Sequence, residues 1–425
     1  MNFKSILECC MEKISGFISS ESLLDFRKEN CFVRKRELSL YQVCLYLLYS
    51  TRASMFQNLS SIRDNLLKLD FPKVSKQALS KARQGILPTL FQQLYKITTE
   101  TFYSSISIRK DWHGYKIFAI DGSRVELGNS ESNFKNYGKM SDPKNPFRIY
   151  SGALGSILYD VLEDVIVDAS LHNFLYSERT AALAHLSRLK LLNSDKNAVV
   201  IFDRGYFSEE MYKYFLDHNI FCLFRLKENS ILSKNCNGDT ITYTSGNRKK
   251  GIPSMKVRVV SVLLDSGVTE YLATNIMDES ITPAMFKDLY FRRWKIESKY
   301  YEIKEHLQME AFNGITSTSV EQEFYITMMY SNLSAFVKAE ADVEIAKNTN
   351  RNNKYKYQAN RIFIIGRIRT LLPKIILNCP PVNWLLDLFE DAARNKSQIQ
   401  PGRRDTRQRR RPNKRTHFAN RKTTT

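Results

Sequence analysis

The segment from residue 290 to residue 304 carries four side chains whose types and spacing suit chemistry on phosphate: Tyr290, Arg293, Glu297 and Lys304. On an ideal helix, which turns by about 100° per residue, these four fall on one stripe about 60° wide. The stripe borders an apolar face formed by Leu289, Ile296, Tyr300, Ile303 and Leu307. A carboxylate flanked by Arg and Lys at such a border fits a site that handles phosphate and metal. An ordinary surface helix with an Arg293–Glu297 ion pair is the alternative.

Two further carboxylates close apolar runs of β-strand character. Asp121 ends the run 117–121, and Asp203 ends the run 198–203. Carboxylates at a sheet end point into the crevice where ligands usually bind, and their burial is costly unless a cation compensates it. Oxygen ligands of this kind select Mg²⁺, with Mn²⁺ as a substitute. With Glu297 as third ligand, the sequence predicts a two-metal centre for in-line phosphoryl transfer.

The same residues also have plainer interpretations, which the sequence leaves open. Asp121 precedes Gly122, so it also fits a turn or cap position. Asp203 precedes Arg204, so it also fits a local ion pair. Arg225 ends another apolar run and is either near a bound polyanion or simply an exposed charge.

Composition limits the partners of the chain. It has 425 residues and a formal net charge of +20, which predicts a polyanionic partner, with nucleic acid first and an anionic membrane surface second. Seven cysteines without a C-x-x-C pair disfavour a disulfide framework and a zinc module, and fit a reducing cytoplasm. No apolar run approaches the roughly 20 residues of a membrane span, and the N-terminus has no signal-peptide core. We therefore predict a cytoplasmic protein without a membrane partner.

The spacing of apolar residues divides the chain into helical and strand-rich regions. Helices are predicted at 39–48, 60–69 and 76–95, and the stretch 74–84 has the composition of a recognition helix, with Lys, Gln and Arg on its outer face. Many solvated helices have the same composition. From residue 115 strands alternate with helices, which predicts a mixed α/β sheet. Short β-like runs at 240–243, 256–264 and 271–273 predict an antiparallel insertion.

The last third of the chain reads as helical and then basic. One continuous helix is predicted over 283–309, followed by helices over 320–338, 362–372 and 384–393. From 396 on, the sequence is basic and of low complexity, so it cannot fold alone and is predicted to dock on phosphates or to stay disordered.

Together these motifs resemble the DDE transposases of bacterial insertion sequences, most closely the family numbered four in the insertion-sequence scheme. The resemblance rests on Asp121-Gly122-Ser123, on Asp203-Arg204-Gly205-Tyr206, and on the Y-(2)-R-(3)-E-(6)-K spacing of Tyr290, Arg293, Glu297 and Lys304. The chain matches that spacing at all four positions. The resemblance covers roughly 115–340 well, and the helical front end and the basic tail more loosely.

The resemblance implies an α/β fold with an RNase H-like catalytic core, an antiparallel β insertion, a helical N-terminal domain and a basic C-terminal tail. The predicted boundaries are 1–110 for a helical DNA-binding domain, 111–227 with 277–345 for the core, 228–276 for the insertion, 346–395 for a helical C-terminal region and 396–425 for a disordered tail.

The resemblance also implies roles for single residues. Asp121, Asp203 and Glu297 would be catalytic and hold the metal ions, and Tyr290, Arg293 and Lys304 would contact DNA phosphates near the cut. Arg204 and Arg225 are added as weaker DNA-binding candidates.

The implied reaction is cut-and-paste transposition. The protein would bind the terminal inverted repeats of its element, make Mg²⁺-dependent cuts that expose 3′-hydroxyl ends, and join these ends to target DNA at the bacterial nucleoid, as a homodimer in the synaptic complex. A nuclease that only hydrolyses and an inactive DNA-binding inhibitor derived from a transposase are the alternatives. Whether a hairpin intermediate forms, and which aromatic residue would hold the flipped base, stays open.

Overall fold

The computed structural model describes residues 1–34, 36–142, 145–265, 267–348 and 355–399. The α-helices in chain order are α1 Phe3–Ser19, α2 Leu40–Tyr49, α3 Met55–Asn65, α4 Lys76–Arg83, α5 Thr89–Ser105, α6 Glu131–Tyr137, α7 Glu178–Leu191, α8 Glu209–Asp217, α9 Ile231–Lys234, α10 Pro283–Phe291, α11 Trp294–Tyr301, α12 Ser317–Asn348, α13 Arg361–Ile376 and α14 Trp384–Arg394. The strands are β1 Lys116–Leu127, β2 Lys139–Asp142, β3 Asn145–Asp160, β4 Val165–Asn173, β5 Ala198–Phe202, β6 Phe221–Arg225, β7 Asp239–Tyr243, β8 Lys256–Leu263, β9 Thr269–Thr274, β10 Lys356–Ala359 and β11 Lys396–Ile399. Short 3-10 helices span Glu21–Phe26, Leu67–Leu69 and Arg248–Lys250, and a π-helical turn spans Glu302–His306.

The chain forms two compact units, each built from separate stretches of sequence. The first unit contains Met1–Ser107, Val125–Ala153 and Ile303–Thr425, and the second contains Ile108–Arg124 and Leu154–Glu302. This grouping differs from the predicted boundaries, which placed 277–345 in one core and 346–395 in a separate region. The reason is α12, which is buried along most of its length and packs against α1, α5, α13 and α14.

The first unit is organised around α12. The ring of Phe336 on this helix stacks on Phe102 of α5, with centroids 5.4 Å apart. The predicted helix over 76–95 is wrong as a single element, because α4 ends at Arg83 and α5 begins at Thr89, directly after Pro88. Proline has no backbone N–H and clashes with the preceding turn, so it starts a helix readily but does not continue one. The predicted helix over 60–69 is likewise divided, into α3 and a 3-10 turn.

Two basic residues of the N-terminal region lie inside this unit rather than on its surface. Arg83 is only 1% exposed and pairs with Glu323 of α12 at 3.1 Å between Nη1 and Oε1. Arg52 forms an ion pair with the same carboxylate. The backbone N–H of Asn313 donates to both oxygens of Glu323. The prediction that Arg83 lies on the outer face of its helix is therefore wrong, because its guanidinium is buried in an ion pair with Glu323.

The second unit is built on a twisted mixed sheet. Its strand order is β3-β1-β5-β6-β9-β8-β7, with β4 paired on β3. β5 runs parallel to β1 and to β6, whereas β9, β8 and β7 add in antiparallel fashion. All residues of β5 are buried, as expected for a central strand covered on both faces. In the first unit, β2 pairs with the initial part of β3, Met140 opposite Tyr150.

The predicted antiparallel insertion is β-structured, yet it is not a separate sheet. Phe224 of β6 lies opposite Ala273 of β9, so β9, β8 and β7 prolong the central sheet at one edge. The physical reason is that one edge of β6 would otherwise leave its backbone N–H and C=O groups unpaired, and β9 forms hydrogen bonds with them.

The helix predicted over 283–309 is interrupted twice. α10 ends at Phe291, α11 begins at Trp294, and a π-helical turn follows from Glu302. At the first break the N–H of Arg293 donates to the carbonyl of Tyr290, at 3.0 Å, which tightens the turn. The continuous helix is therefore wrong, whereas its predicted apolar face is confirmed, since all five members are buried: Leu289, Ile296, Tyr300, Ile303 and Leu307.

The C-terminal end of the described chain is ordered further than predicted. Lys396–Ile399, assigned to the disordered tail, form β11 and pair antiparallel with β10. The remaining tail, 400–425, lies outside the described residues. None of the described helices combines the length and the apolar character that a membrane span requires.

Glu323→Gln should destabilise the first unit strongly. The neutral amide leaves the buried cations Arg52 and Arg83 without their common counter-charge, and loss of one partner of a buried ion pair costs about 3–5 kcal/mol. Guanidinium unfolding of the full chain measures the change. Glu344→Gln, at an exposed position of the same helix, is the matched control, and an equal midpoint for both variants would contradict the role assigned to Glu323.

Candidate active site

The register of the sheet places Asp121 and Asp203 side by side. β1 and β5 are parallel, with Ala119 opposite Ile201. Asp121 and Asp203 each come two residues later, so they occupy matching positions at the carboxyl end of the β5 strand. β1 continues to Leu127, so Asp121 lies within its strand and does not end it, contrary to the sequence prediction. Asp203 directly follows β5, as predicted.

Asp121 is a desolvated carboxyl group. Burial raises its pKa to about 7, and the negative charges of Glu178 and Asp203 act in the same direction. The N–H of Gly122, 2.9 Å from Oδ1, and the Arg293 guanidinium oppose this rise only in part. The hydroxyl of Tyr300 donates to the Asp121 carbonyl, at 2.8 Å, and fixes the backbone at this point. Asp121 therefore lies where additional positive charge is favourable.

The pKa of Asp203 is shifted in the direction opposite to that of Asp121. Burial alone would raise its pKa, but the backbone N–H of Arg204, the Arg293 guanidinium, the Tyr290 hydroxyl and Arg225 together hold the pKa below its ordinary value. The Tyr290 hydroxyl donates to Oδ1 at 3.2 Å, and Nη1 of Arg225 lies 3.8 Å from the same oxygen. Asp203 is thus ionised and held in a fixed orientation.

Arg293 is the cation that these carboxylates share. It is only 3% exposed, and its Nη2 donates to Oε1 of Glu297 at 2.9 Å. Its charge also acts on Asp121 and Asp203. The guanidinium lies over the rings of Tyr290 and Trp294, with centroid distances of 5.5 and 5.3 Å.

Glu297 completes the acidic set on α11. Its side chain is 43% exposed, so one part faces solvent while the other part meets Arg293. The i,i+4 ion pair that the sequence offered as the alternative to a catalytic helix is present. It joins Glu297 to the guanidinium whose charge also acts on both aspartates, so the ion pair shares its residues with the candidate site.

The three remaining predicted site residues, Arg225, Arg204 and Lys304, differ in burial and in their contacts. Arg225 is partly buried and pairs with Glu270 of β9, at 2.6 Å, in addition to Asp203. The side chain of Arg204 is exposed, and its contribution to Asp203 comes from the backbone N–H. Lys304 belongs to the first unit, where its Nζ lies 3.3 Å from Glu310.

Sequence reasoning missed two charged residues at the start of α7. The carboxyl carbon of Glu178 would lie 3.2 Å from a Cβ built on Gly122, so this side chain packs beside Asp121. Arg179 donates to the carbonyls of Gly205 and Phe207, at 2.9 and 3.2 Å from Nη2, and so holds the loop after Asp203. The available signal was Ser177, a cap residue that starts a helix directly after a strand.

Sequence reasoning also missed Glu270, which no motif distinguishes. Its exposure is 8%, and it neutralises Arg225 from the strand that pairs with β6. Only strand pairing reveals that these two side chains meet.

The donor set fits a hard divalent cation by its chemistry. Asp121, Asp203 and Glu297 offer carboxylate oxygens, the ligands that Mg²⁺ and Mn²⁺ prefer. A cation near Asp121 would relieve the desolvation that raises the pKa of this group. Within the described part of the chain, no three His, Cys, Asp or Glu side chains already stand in a metal-holding arrangement.

Comparison with known proteins identifies what the chain is similar to. The family described as "Transposase DDE domain" matches residues 112–333, just over half of the chain. The transposase InsG for insertion sequence element IS4 of Escherichia coli K12 is 22% identical over 316 residues, which are 71% of this chain and 70% of that protein. The putative transposase InsZ of the same organism is 21% identical over 138 residues, 32% of this chain and 44% of that protein.

A solved structure is also similar in part. The piggyBac transposase in a synaptic complex with hairpin DNA, determined by cryo-EM, shows a TM-score of 0.46 and 10% identity, and the match covers 95% of this chain and 87% of that chain.

Asp121→Asn and Asp203→Asn should change metal-free stability in opposite directions. The pKa of Asp121 rises from 3.8 to about 7 in the fold, so its contribution is fully present below pH 4 and is lost as pH rises through 7. Asp121→Asn should therefore be the more stable protein at pH 8, by up to about 4 kcal/mol. The pKa of Asp203 is lowered, so its contribution is present above its ordinary pKa, and Asp203→Asn should be less stable than wild type at pH 8. Denaturant unfolding in EDTA at pH 4, 6 and 8 measures both, and a shift of equal sign would contradict the assigned electrostatics.

Proposed function

The chain belongs to the family of transposases with a DDE domain, and we propose that it cuts the ends of its own insertion sequence and joins them to target DNA. The observation that carries this proposal is the matching position of Asp121 and Asp203 on adjacent parallel strands, with Arg293 joining their charges to Glu297. The Y-R-E-K spacing and the similarity to the IS4 transposase support membership of the family numbered four.

We propose that the sheet of the second unit is an RNase H-like core. Its support is the order β4-β3-β1-β5-β6, in which the first long strand lies central and two later strands join in parallel. Parallel β1, β5 and β6 gather their carboxyl ends at one edge, where α/β sheets bind ligands. The antiparallel β9, β8 and β7 would then be the family's insertion between the second aspartate and the glutamate.

We assign Asp121, Asp203 and Glu297 to the binding of Mg²⁺, with Mn²⁺ as a substitute. When bound, such ions acidify a water and stabilise the leaving oxygen in phosphoryl transfer. Tyr290 orients Asp203 through its hydroxyl, and Arg225 keeps the same carboxylate charged. Glu270 in turn holds Arg225. The side chains of this unit thus keep Asp203 as an anion, whereas the raised pKa of Asp121 means that a bound cation would displace a proton from it.

For Arg293 we propose a role different from the DNA contact that the resemblance implied. Its guanidinium is buried and directed at carboxylates, so we propose that it positions Glu297 relative to the aspartates. We propose that Arg204 contacts DNA phosphate instead, because its side chain is exposed next to Asp203. For Lys304 and Arg225 we keep the proposed place along the DNA path.

The partners are proposed from charge and from the family. A net charge of +20 fits binding to double-stranded DNA, both the terminal inverted repeats and the target. In the first unit, Lys73, Lys76 and Lys81 of the predicted DNA-binding region are exposed, whereas Arg83 is internal. We propose that these lysines contact the phosphate backbone, and that cut-and-paste transposition proceeds in a synaptic homodimer.

Asp121→Asn, Asp203→Asn and Glu297→Gln should each abolish cleavage of DNA that carries the ends of the element. Loss of a direct metal ligand should cost more than the roughly 100-fold typical of outer-shell partners. Denaturing gels in Mg²⁺, in Mn²⁺ and in EDTA resolve the products, and gel shifts should show unchanged DNA affinity. Asp265→Asn, an exposed aspartate paired with Lys287, is the control that should cleave normally.

The same reactions separate the alternatives. Joined products containing target DNA identify a transposase, and cuts without joining identify a nuclease that only hydrolyses. Binding without cuts in either metal would contradict the enzymatic proposal and favour an inhibitor.

Arg293→Met and Arg204→Met should affect different steps. Arg293→Met removes the charge that holds Glu297, so cleavage should fall while the salt dependence of DNA binding stays the same. Arg204→Met should lower DNA affinity and reduce the slope of log K against log salt by about one. Binding titrations at several salt concentrations measure the slopes, and a reduced slope for Arg293→Met would instead place that guanidinium on DNA.

A further inference from the structure

The first turn of α7 contacts the active site at two points. Glu178 packs against Gly122, where an added Cβ would lie 3.2 Å from both Cγ and Cδ of the glutamate. The absence of a side chain at residue 122 therefore leaves room for Glu178 against β1, one residue from Asp121. Leu154 limits the space from another side, at 3.0 Å from the same Cβ position.

The second point is the loop after Asp203. Arg179, adjacent to Glu178, donates from Nε and Nη2 to the carbonyl of Gly205, at 3.2 and 2.9 Å. Ser177 caps the helix by accepting from the N–H of Thr180. The turn that carries Glu178 thus packs against β1 next to Asp121 and is hydrogen-bonded to the loop that follows Asp203.

The hydroxyl of Tyr206 lies beside the carboxylates of Asp121 and Glu178. This residue is only 2% exposed, and burial, followed by the negative charges of Asp121 and Glu178 and by a hydrogen bond with the Glu178 side chain, raises the pKa of its hydroxyl. Nε of Arg293, a residue that is 3% exposed, is a buried polar atom without a hydrogen-bond partner. Buried unpaired groups of this kind are rare in proteins, and an N–H donor is satisfied by water or by an anionic ligand such as a phosphate.

We propose that Glu178 is a fourth carboxylate of the active site and shares with Asp121 the binding of the divalent cation. This inference rests on the proposed function, because it concerns the same cation. Glu178 is exposed in the first turn of α7, so an entering ion can reach it. Two like charges beside each other repel, and a shared cation removes that repulsion.

Binding of Mn²⁺ to the full-length protein tests the proposal without reference to activity. Electron paramagnetic resonance of free Mn²⁺ gives the affinity of wild type, Glu178→Gln, Glu178→Asp and Asp121→Asn. Glu178→Gln should weaken binding about tenfold or more, and Glu178→Asp should retain part of the affinity because it keeps the charge. Glu210→Gln is the matched control, since Glu210 also lies in the first turn of a helix but pairs with Lys250.

Cleavage and stability measured on the same proteins complete the test. Glu178→Gln should cleave element-end DNA more slowly than Glu210→Gln. Glu178→Gln should unfold at or above the wild-type midpoint because it removes repulsion with Asp121, whereas Glu210→Gln should unfold near the wild-type midpoint because it loses only an exposed ion pair with Lys250. Glu178→Gln that binds Mn²⁺ and cleaves like Glu210→Gln would overturn the role of Glu178, with the proposed function intact. Wild-type protein that binds Mn²⁺ in a Glu178-dependent way but never cuts would support the cation site and contradict the proposed function instead.

Discussion

A buried guanidinium close to three carboxylates is the constraint on which the candidate active site depends. Arg293 pairs with Glu297 and acts electrostatically on Asp121 and Asp203, although the three acids come from a strand, a loop and a helix. Without a shared cation, three acids so placed would repel one another, and at least one would stay protonated. Burial of Arg293 over Tyr290 and Trp294 keeps its charge effective, because solvent screens it less there than at the surface.

The two aspartates differ in how far neighbouring groups compensate their negative charge. Asp203 is supported by Tyr290, by Arg225 and by the N–H of Arg204, so its charge is compensated by the protein itself. Asp121 is compensated less, and burial raises its pKa to about 7. Additional positive charge would therefore be more favourable beside Asp121 than beside Asp203. Glu270 supports this arrangement at a distance, because it fixes Arg225 from the antiparallel extension of the sheet.

The positive charge of the chain serves more than one purpose. Lys73, Lys76 and Lys81 are exposed in the first unit, where a polyanion can reach them. Arg52 and Arg83, close to them in sequence, are instead buried around Glu323 and hold the N-terminal helices to α12. Counting basic residues therefore overstates the surface available for DNA, and burial is what separates the two groups.

The sequence by itself determined the apolar face beside Glu297 and most of the strands, and it proposed the three acids, because each depends on local spacing and on runs of apolar residues. Pairing between distant segments was decided only in the tertiary structure. It placed β9 against β6, paired Arg83 with Glu323, ended one helix at Phe291 and began the next at Trp294, and buried Arg293, which lies between them in sequence. It also brought Glu178 beside Gly122, a contact that no periodicity encodes. The physical reason is that periodicity reports which face of an element is apolar, whereas the partner of that face depends on long-range packing and on where buried charges find compensation.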